Sequence, residues 1–506
     1  MSNSISDTNA TSMKNHAIFY GIVALIFIIV LLVFPEDPAD FGPLTMLPAA
    51  FLLLYVFTTK RILEALFVSS ILGYVAVYKI GFLYPFNDML LDTMMDGDVA
   101  WLFIVCGLMG SIIALIEKVG GAFAFGEWVA TKATTKKSAC IWTWILGCVI
   151  FIDDYLNSLT VGSCMAPVTD KYKVSREFLS YITDSTAAPV CVLLPVSTWA
   201  AFIASLLEQN GLAGEGEGIA WFIRSIPFNF YGWFAAILVP LVVLGIVPIF
   251  GPMKKAEQRA QETGVLAPEG SEKIDIRGGK AVEVHENAKM MNFILPILVM
   301  IYASIASGYG SLNIFSIDAL MSLDLQLGVL ITVVFMFFLY IPQRIIDPEE
   351  FADAVMDGIK NMLMPLIMVV LAYSFGSASE EVGFIQYCID LAMVNISPQM
   401  LPFTVFIVFG ITEFIMGLSW GMYIVAIPIV LPLAAAMNVN PAIVIGAVTS
   451  AGIFGSHICF YSDATILTSA ATGCNNFRHA ITQAPFGLVA AAIAAVGFLI
   501  TGFVLV

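Results

Sequence analysis

Long apolar stretches recur along this chain, parted by short polar interruptions, and they have the length of bilayer-crossing helices. Spans are predicted at 17–34, 43–57, 62–81 and 98–117, each long enough to cross about 30 Å of hydrocarbon with modest tilt. A glycine-rich amphipathic piece follows at Gly120 to Ala133, then an apolar segment at 138–168 and spans at 178–207 and 221–250. The polar stretch from Met253 to Lys289 holds seven Lys/Arg and seven Asp/Glu and reads as a cytoplasmic linker between two halves. Beyond it, spans are predicted at 292–308, 327–341, 351–376, 440–471 and 482–506, with a short piece near 384–395 and a long segment at 401–436.

Basic residues set the orientation. Lys60 and Arg61, then Lys132, Lys136 and Lys137, then Lys171, Lys173 and Arg176, mark their loops as cytoplasmic. The loops at 35–42, 82–98, 208–220, 309–326, 377–383 and 396–400 carry no Lys or Arg and fourteen acids, so they face outside and the N-terminus lies inside. Basic loops flank 138–168 on both sides, so it should enter and leave on the cytoplasmic face as a hairpin. Segment 401–436, between basic-free loops, should dip in from outside. The expected fold is an all-α polytopic membrane protein: about eleven transmembrane helices plus two oppositely oriented re-entrant hairpins in an inverted repeat. Phe151-Ile152 aligns with Phe414-Ile415, and Thr186-Ala187 has about the offset of Thr449-Ser450. The expected divisions are an N-terminal tail with two spans (1–58), a first repeat with hairpin 138–168 (59–252), a linker (253–291), and an extra span with the second repeat and hairpin 401–436 (292–506).

Composition agrees with this reading. Of 506 residues 59% are hydrophobic and 12% charged, about half the charged share of soluble domains. No cleavable signal peptide is evident, because the first apolar run is too long for an h-region. The eight cysteines lie in or at the ends of apolar segments, which implies no disulfide framework, and no Cys/His spacing suits a metal. No cofactor is expected, no nucleic-acid partner, and no enzyme chemistry; the surroundings are lipid.

The candidate chemistry centres on Asp153-Asp154-Tyr155-Leu156-Asn157-Ser158, where two carboxylates and an amide interrupt an apolar segment. An acid pair at a solvated helix end is the plain alternative. It weakens because Asp184-Ser185-Thr186-Ala187-Ala188-Pro189 follows in the next span, with Ser197-Thr198 beyond. Intramembrane charge is expensive and normally functional. In the second half, Ser456, His457, Ser462, Asp463 and Thr465 repeat the acid-plus-hydroxyl composition, although a histidine bonded between helices is the plain reading of His457. Gly417-Leu418-Ser419-Trp420-Gly421 fits the G-x-S-x-G pattern, but a nucleophile elbow needs a strand–turn–helix context that is absent here. Ser419 can still offer an oxygen to the cavity. Carboxylates, hydroxyls and freed carbonyls suit a hard cation such as sodium.

The stretch Phe151 to Ser163, running through Pro167-Val168-Thr169-Asp170-Lys171, resembles the NhaC-type sodium/proton antiporter family. So do Ser175-Arg176-Glu177, Tyr181 to Val190, and Ser197-Thr198-Trp199, with a looser likeness at Gly417 to Gly421 and His457 to Leu467. The resemblance covers roughly residues 60–490. It implies a secondary transporter of the ion-transporter superfamily, a homodimer in the inner or plasma membrane, exchanging sodium for protons. Some relatives exchange organic acids or other solutes. Here Leu418 and Met422 replace threonines of the family's G-T-S-W-G-T, and Ile458-Cys459-Phe460-Tyr461 replace C-S-P-I, so oxygen ligands and a proline are lost and two aromatics gained.

The leading expectation is therefore sodium/proton antiport at a midplane site, with Na+ held by Asp153, Asp154, Asn157 and Asp184 and with Ser158, Ser185, Thr186, Ser419, Ser456, His457, Ser462, Asp463 and Thr465 around it. Two adjacent carboxylates in low dielectric do not both ionise cheaply, so a proton is shared and sodium displaces it. The alternative keeps the ion coupling and moves a small organic solute (organic acid, amino acid or drug-like) against Trp420, Phe460 and Tyr461.

Overall fold

The computed structural model describes residues 19–59, 61–214, 216–271, 288–310, 323–417, 419–460 and 462–506. Leu418, Tyr461, the N-terminal tail and residues 272–287 of the expected linker lie outside them. The long described elements are all helices. Eight are long and apolar enough to cross a bilayer, or nine if the bent pair Gly218–Phe228 and Phe230–Leu244 is one span; Phe19–Val33, Gly42–Val56 and Leu325–Tyr340 are apolar and shorter. The chain is thus an all-α, multi-pass membrane protein.

Two compact units emerge. The first comprises residues up to Asp96 together with Ile367–Val394. It contains α1 (Phe19–Val33), α2 (Leu47–Thr59), α3 (Ile62–Tyr78) and α4 (Leu83–Met95). The sequence suggested a loop where α4 forms. Its acids explain both readings: Asp88, Asp92 and Asp96 are exposed at i, i+4 spacing, while Phe86, Met89 and Thr93 turn inward.

The second unit comprises Gly97–Leu366 and Asn395–Val506. It holds α5 (Gly97–Val119), α6 (Gly121–Ala130), α7 (Lys136–Val149), α8 (Asp154–Lys171), α9 (Arg176–Asp184), α10 (Ala188–Cys191), α11 (Thr198–Gln209), α12 (Gly218–Ser225), α13 (Phe230–Leu244) and α14 (Gly251–Thr263). After α15 (Met291–Tyr309) and α16 (Leu325–Tyr340), α17 (Pro348–Glu381) contributes its first half here and its second half to the first unit, which also has most of α18 (Phe384–Asn395). Then come α19 (Leu401–Met416), α20 (Ser419–Ala436), α21 (Pro441–Ile458), α22 (Asp463–Thr472) and α23 (Asn476–Leu505). The last helix begins six residues before the span predicted at 482.

The breaks between these helices position the site. The side-chain amide of Asn157 on α8 donates to the carbonyl of Gly147 on α7 at 2.7 Å. Ten residues of continuous helix would separate those positions by about 15 Å, so the chain folds back between them. Segment 178–207, predicted as one span, is divided into α9, α10 and α11 with Pro189 at the start of the short middle piece. α8 and α22 pack side by side and in parallel: Ser158 accepts from Thr468 at 2.9 Å, and a Cβ on Gly162 would lie 2.8 Å from Ala471 Cβ.

The beginning of the expected linker is folded. On α14, Glu257 receives the Lys136 ammonium and the backbone N–H of Ser175, and Gln261 donates to the Lys173 carbonyl. Arg259 grips Glu177 with two bonds of 2.9 and 2.8 Å. These contacts pin the turn between α8 and α9.

Candidate functional site

The site starts at the break after α7. Ile150 leaves helical geometry (ψ 63) and Asp153 is extended (φ −151, ψ 139), so α8 opens at Asp154 with Asp153 as its N-cap. Asp153 Oδ1 accepts from the N–H groups of Tyr155 and Leu156, both at 3.0 Å, and Oδ2 accepts from the Thr198 hydroxyl at 3.1 Å. The Ile152 carbonyl takes the Thr198 N–H at 3.0 Å, which brings the start of α11 to the break. From there the Trp199 indole donates to Asp154 Oδ1 at 3.0 Å. The helix-end reading of the acid pair is right about the helix end and wrong about solvation: Asp153 and Asp154 are only 5% and 7% exposed.

Asn157, one turn along, is fully buried. Its amide nitrogen faces three carbonyls, of Gly147 at 2.7 Å, Ile150 at 2.8 Å and Thr186 at 2.9 Å. A flipped amide would set oxygen against oxygen three times, so the orientation is determined by the network. The amide oxygen, Oδ1, is buried without a partner among the described residues. The Thr186 bond ties this break to the one after α9. Gly147 makes the approach possible, since a Cβ there would sit 2.0 Å from Thr186 Oγ1.

Asp184 is held by other means. Gln483 on α23 donates to its Oδ2 at 2.6 Å, and also to the carbonyl of His457. Gln483 Oε1 is 3.0 Å from His479 Nε2, and His479 Nδ1 is 2.9 Å from the Ser469 hydroxyl. His457 meets Ser185 Oγ at 3.1 Å through Nε2 and the Tyr231 hydroxyl at 2.7 Å through Nδ1, the inter-helix bonding expected as its plain reading.

In the second half, Ser462 caps α22, and the hydroxyls of Ser462 and Thr465 donate to the Ser456 carbonyl at 2.9 and 3.3 Å. Asp463, first residue of α22, accepts from the Tyr155 hydroxyl of α8. It lies within electrostatic reach of Asp154 and of Asp184. Glu413, at the end of α19, is fully buried: the Ser419 hydroxyl is 3.2 Å from its Oε1 and its Oε2 has no partner among the described residues. Among the described residues, no lysine or arginine forms an ion pair with Asp153, Asp154, Glu413 or Asp463. No three His, Cys, Asp or Glu of the described residues gather as a metal-holding group. A cation here would therefore draw on one or two carboxylates and on neutral oxygens.

The aromatic candidates have separate surroundings. Trp420 stacks on Phe202, centroids 4.1 Å apart, and meets Trp199 edge-on at 6.2 Å, which links it to the residue that holds Asp154. Phe460 is 43% exposed and its ring meets Phe477 edge-on. Tyr461 lies outside the described residues.

Sequence reasoning gave no role to Trp199, Tyr155, Gln483, His479, Thr468 or Glu413. A signal existed for one pair: His479 and Gln483 are four apart, on one helical face, just where an apolar span begins.

Buried carboxylates at broken helices, in a chain of many apolar spans, fit the architecture of secondary transporters. The profile of the Na+/H+ antiporter family matches residues 190–503, and the chain belongs to that family. Its members are transporters, not enzymes. An uncharacterized protein of Haemophilus influenzae is 30% identical over 491 residues, 91% of each chain. The fold is similar to that of the Alcanivorax borkumensis YdaH transporter, described as having an unusual topology (TM-score 0.56, 10% identity, 84% of this chain and 89% of that one). It is also similar to Neisseria gonorrhoeae MtrF, described as illuminating a class of antimetabolite efflux pumps (TM-score 0.54, 14% identity, 84% and 85%).

Proposed function

We propose that this transporter exchanges sodium for protons at the Asp153–Asp154 pair, with Asn157 Oδ1 as a neutral ligand and Asp184 and Asp463 shaping the field around it. One observation carries the reading: a buried amide oxygen with no partner among the described residues stands one turn from a buried acid pair that no lysine or arginine among them balances. The start of a helix offsets a nearby negative charge by at most about 2 kcal/mol, whereas an uncompensated buried charge costs several. A proton or a cation from solution meets the difference. Asp153, with three donors, stays charged; Asp154, with one, exchanges its proton for sodium. Each loaded form then carries the same net charge through the membrane.

The fold-back at 147–157 and the charge pattern support two oppositely directed hairpins in an inverted repeat, with the N-terminus inside. In proteoliposomes with no added solute, an imposed sodium gradient should move protons in the opposite direction. A silent vesicle would remove sodium/proton exchange as the whole activity. A second reading, ion-coupled transport of a small organic solute, draws on the exposed Phe460 ring and on the fold shared with an efflux pump. In that case solute added to the silent vesicle restores proton movement.

A further inference from the structure

The amide of Gln483 occupies an unusual position. It is fully buried, and one nitrogen serves a carboxylate of the first half and a carbonyl of the second: Asp184 Oδ2 at 2.6 Å and the His457 oxygen. The His457 carbonyl lies in the last turn of α21, which ends at Ile458, where carbonyls have no intrahelical partner. A carboxylate paired with a helix-end carbonyl is a ligand set that broken transporter helices offer to a cation. Here both oxygens converge on the partly positive hydrogens of an amide. The two acceptors determine the orientation of the amide. Oε1 lies 3.0 Å from His479 Nε2, and a flipped amide would press its oxygen onto Asp184 Oδ2 and the His457 carbonyl.

We infer that Gln483 stands in for a cation between the two breaks, so that its amide limits how many sodium ions the transporter takes. The inference rests on sodium being cargo, as proposed above. Within it, Asp184 is neutralised in part by a tethered dipole and sodium is confined to the Asp153–Asp154 region. Gln483 is thus a residue that determines stoichiometry rather than a ligand.

Two substitutions test this. Gln483→Glu keeps the shape and the acceptor for His479 but turns the donor into an oxygen. Three oxygens then converge, with His479 Nε2, 3.7 Å from Asp184 Oδ2, as the neighbouring group that could bring a proton; at alkaline pH a cation from solution is required instead. Gln483→Lys places a tethered ammonium at the same point. Radiolabelled sodium binding to the purified full-length protein should show one more ion per protomer for Gln483→Glu than for the unaltered protein, measured at alkaline pH to keep protons from competing. Gln483→Lys should bind the same number as the unaltered protein. A Gln483→Glu protein that elutes and unfolds like the parent yet binds no additional sodium would overturn the inference. If that variant does not fold, Gln483→Lys decides: an unchanged sodium number supports the inference, and fewer ions overturn it. Failure of the exchange reading is distinguishable, because the unaltered protein would then bind no sodium at all.

Discussion

Gly147 offers the sharpest mechanical test of the first break. A methyl group at this position would lie 2.0 Å from Thr186 Oγ1 and 2.6 Å from Thr186 Cβ. Ordinary contact would require Thr186 to retreat by more than about 1 Å, and overpacking of this kind costs about 1–3 kcal/mol. Helix propensity returns up to about 1 kcal/mol, so net destabilisation by Gly147→Ala should be slight, about 0–2 kcal/mol. Function should suffer more. Thr186 cannot rotate freely, because its hydroxyl donates to Ile182 and Thr183 carbonyls at 3.0 Å each, so the backbone must move with it. That backbone carries the carbonyl orienting Asn157 at 2.9 Å. Losing one such hydrogen bond is worth about 1 kcal/mol, and the displaced ligand adds to it, so the apparent sodium affinity should fall about tenfold. The assay is sodium-dependent proton flux in proteoliposomes, alongside thermal unfolding. Adding Thr186→Ala, which removes the hydroxyl nearest the new methyl, should recover part of the loss. Unchanged sodium dependence in Gly147→Ala would refute the coupling of the two breaks through Asn157.

Two further outcomes follow from the contacts. Arg259→Ala leaves Glu177, 2% exposed, without its two-pronged partner, and should destabilise the protein by about 3–5 kcal/mol in thermal or denaturant unfolding, with Arg259→Lys recovering part of the loss. Asp184→Asn should raise the apparent sodium requirement by about tenfold or less, because Asp184 is bonded to a protein amide and acts on the ion through its surroundings; complete loss of transport would make it a direct ligand.

What could be read in the sequence depended on how far each signal reaches. Asp153 and Asp154 stand out because their neighbours are apolar, and Pro189 and the glycines announce breaks that form close to where they occur. Gln483 was missed for two reasons. The last span was expected to begin at 482, which detached His479 from the helix it shares with Gln483, and the partners of the amide lie 299 and 26 residues away in sequence. The role of Trp199 depends on one indole N–H, which no apolar pattern reveals. The helices at 83–95 and 251–263 were read as loop and linker because their charges look solvated. Much of that charge is: Asp88 and Asp92 are exposed, whereas Glu257 on the later helix is 6% exposed and paired.

The central claim is that sodium and a proton compete for the same carboxylate pair. Proton release on sodium addition tests it most directly, read with a pH indicator in lightly buffered detergent solution of the purified protein. The unaltered protein should release protons in proportion to the sodium it binds. Asp154→Asn, which removes charge but little volume, should remain folded and release none. Sodium binding without proton release in the unaltered protein, or release from Asp154→Asn equal to it, would contradict the claim.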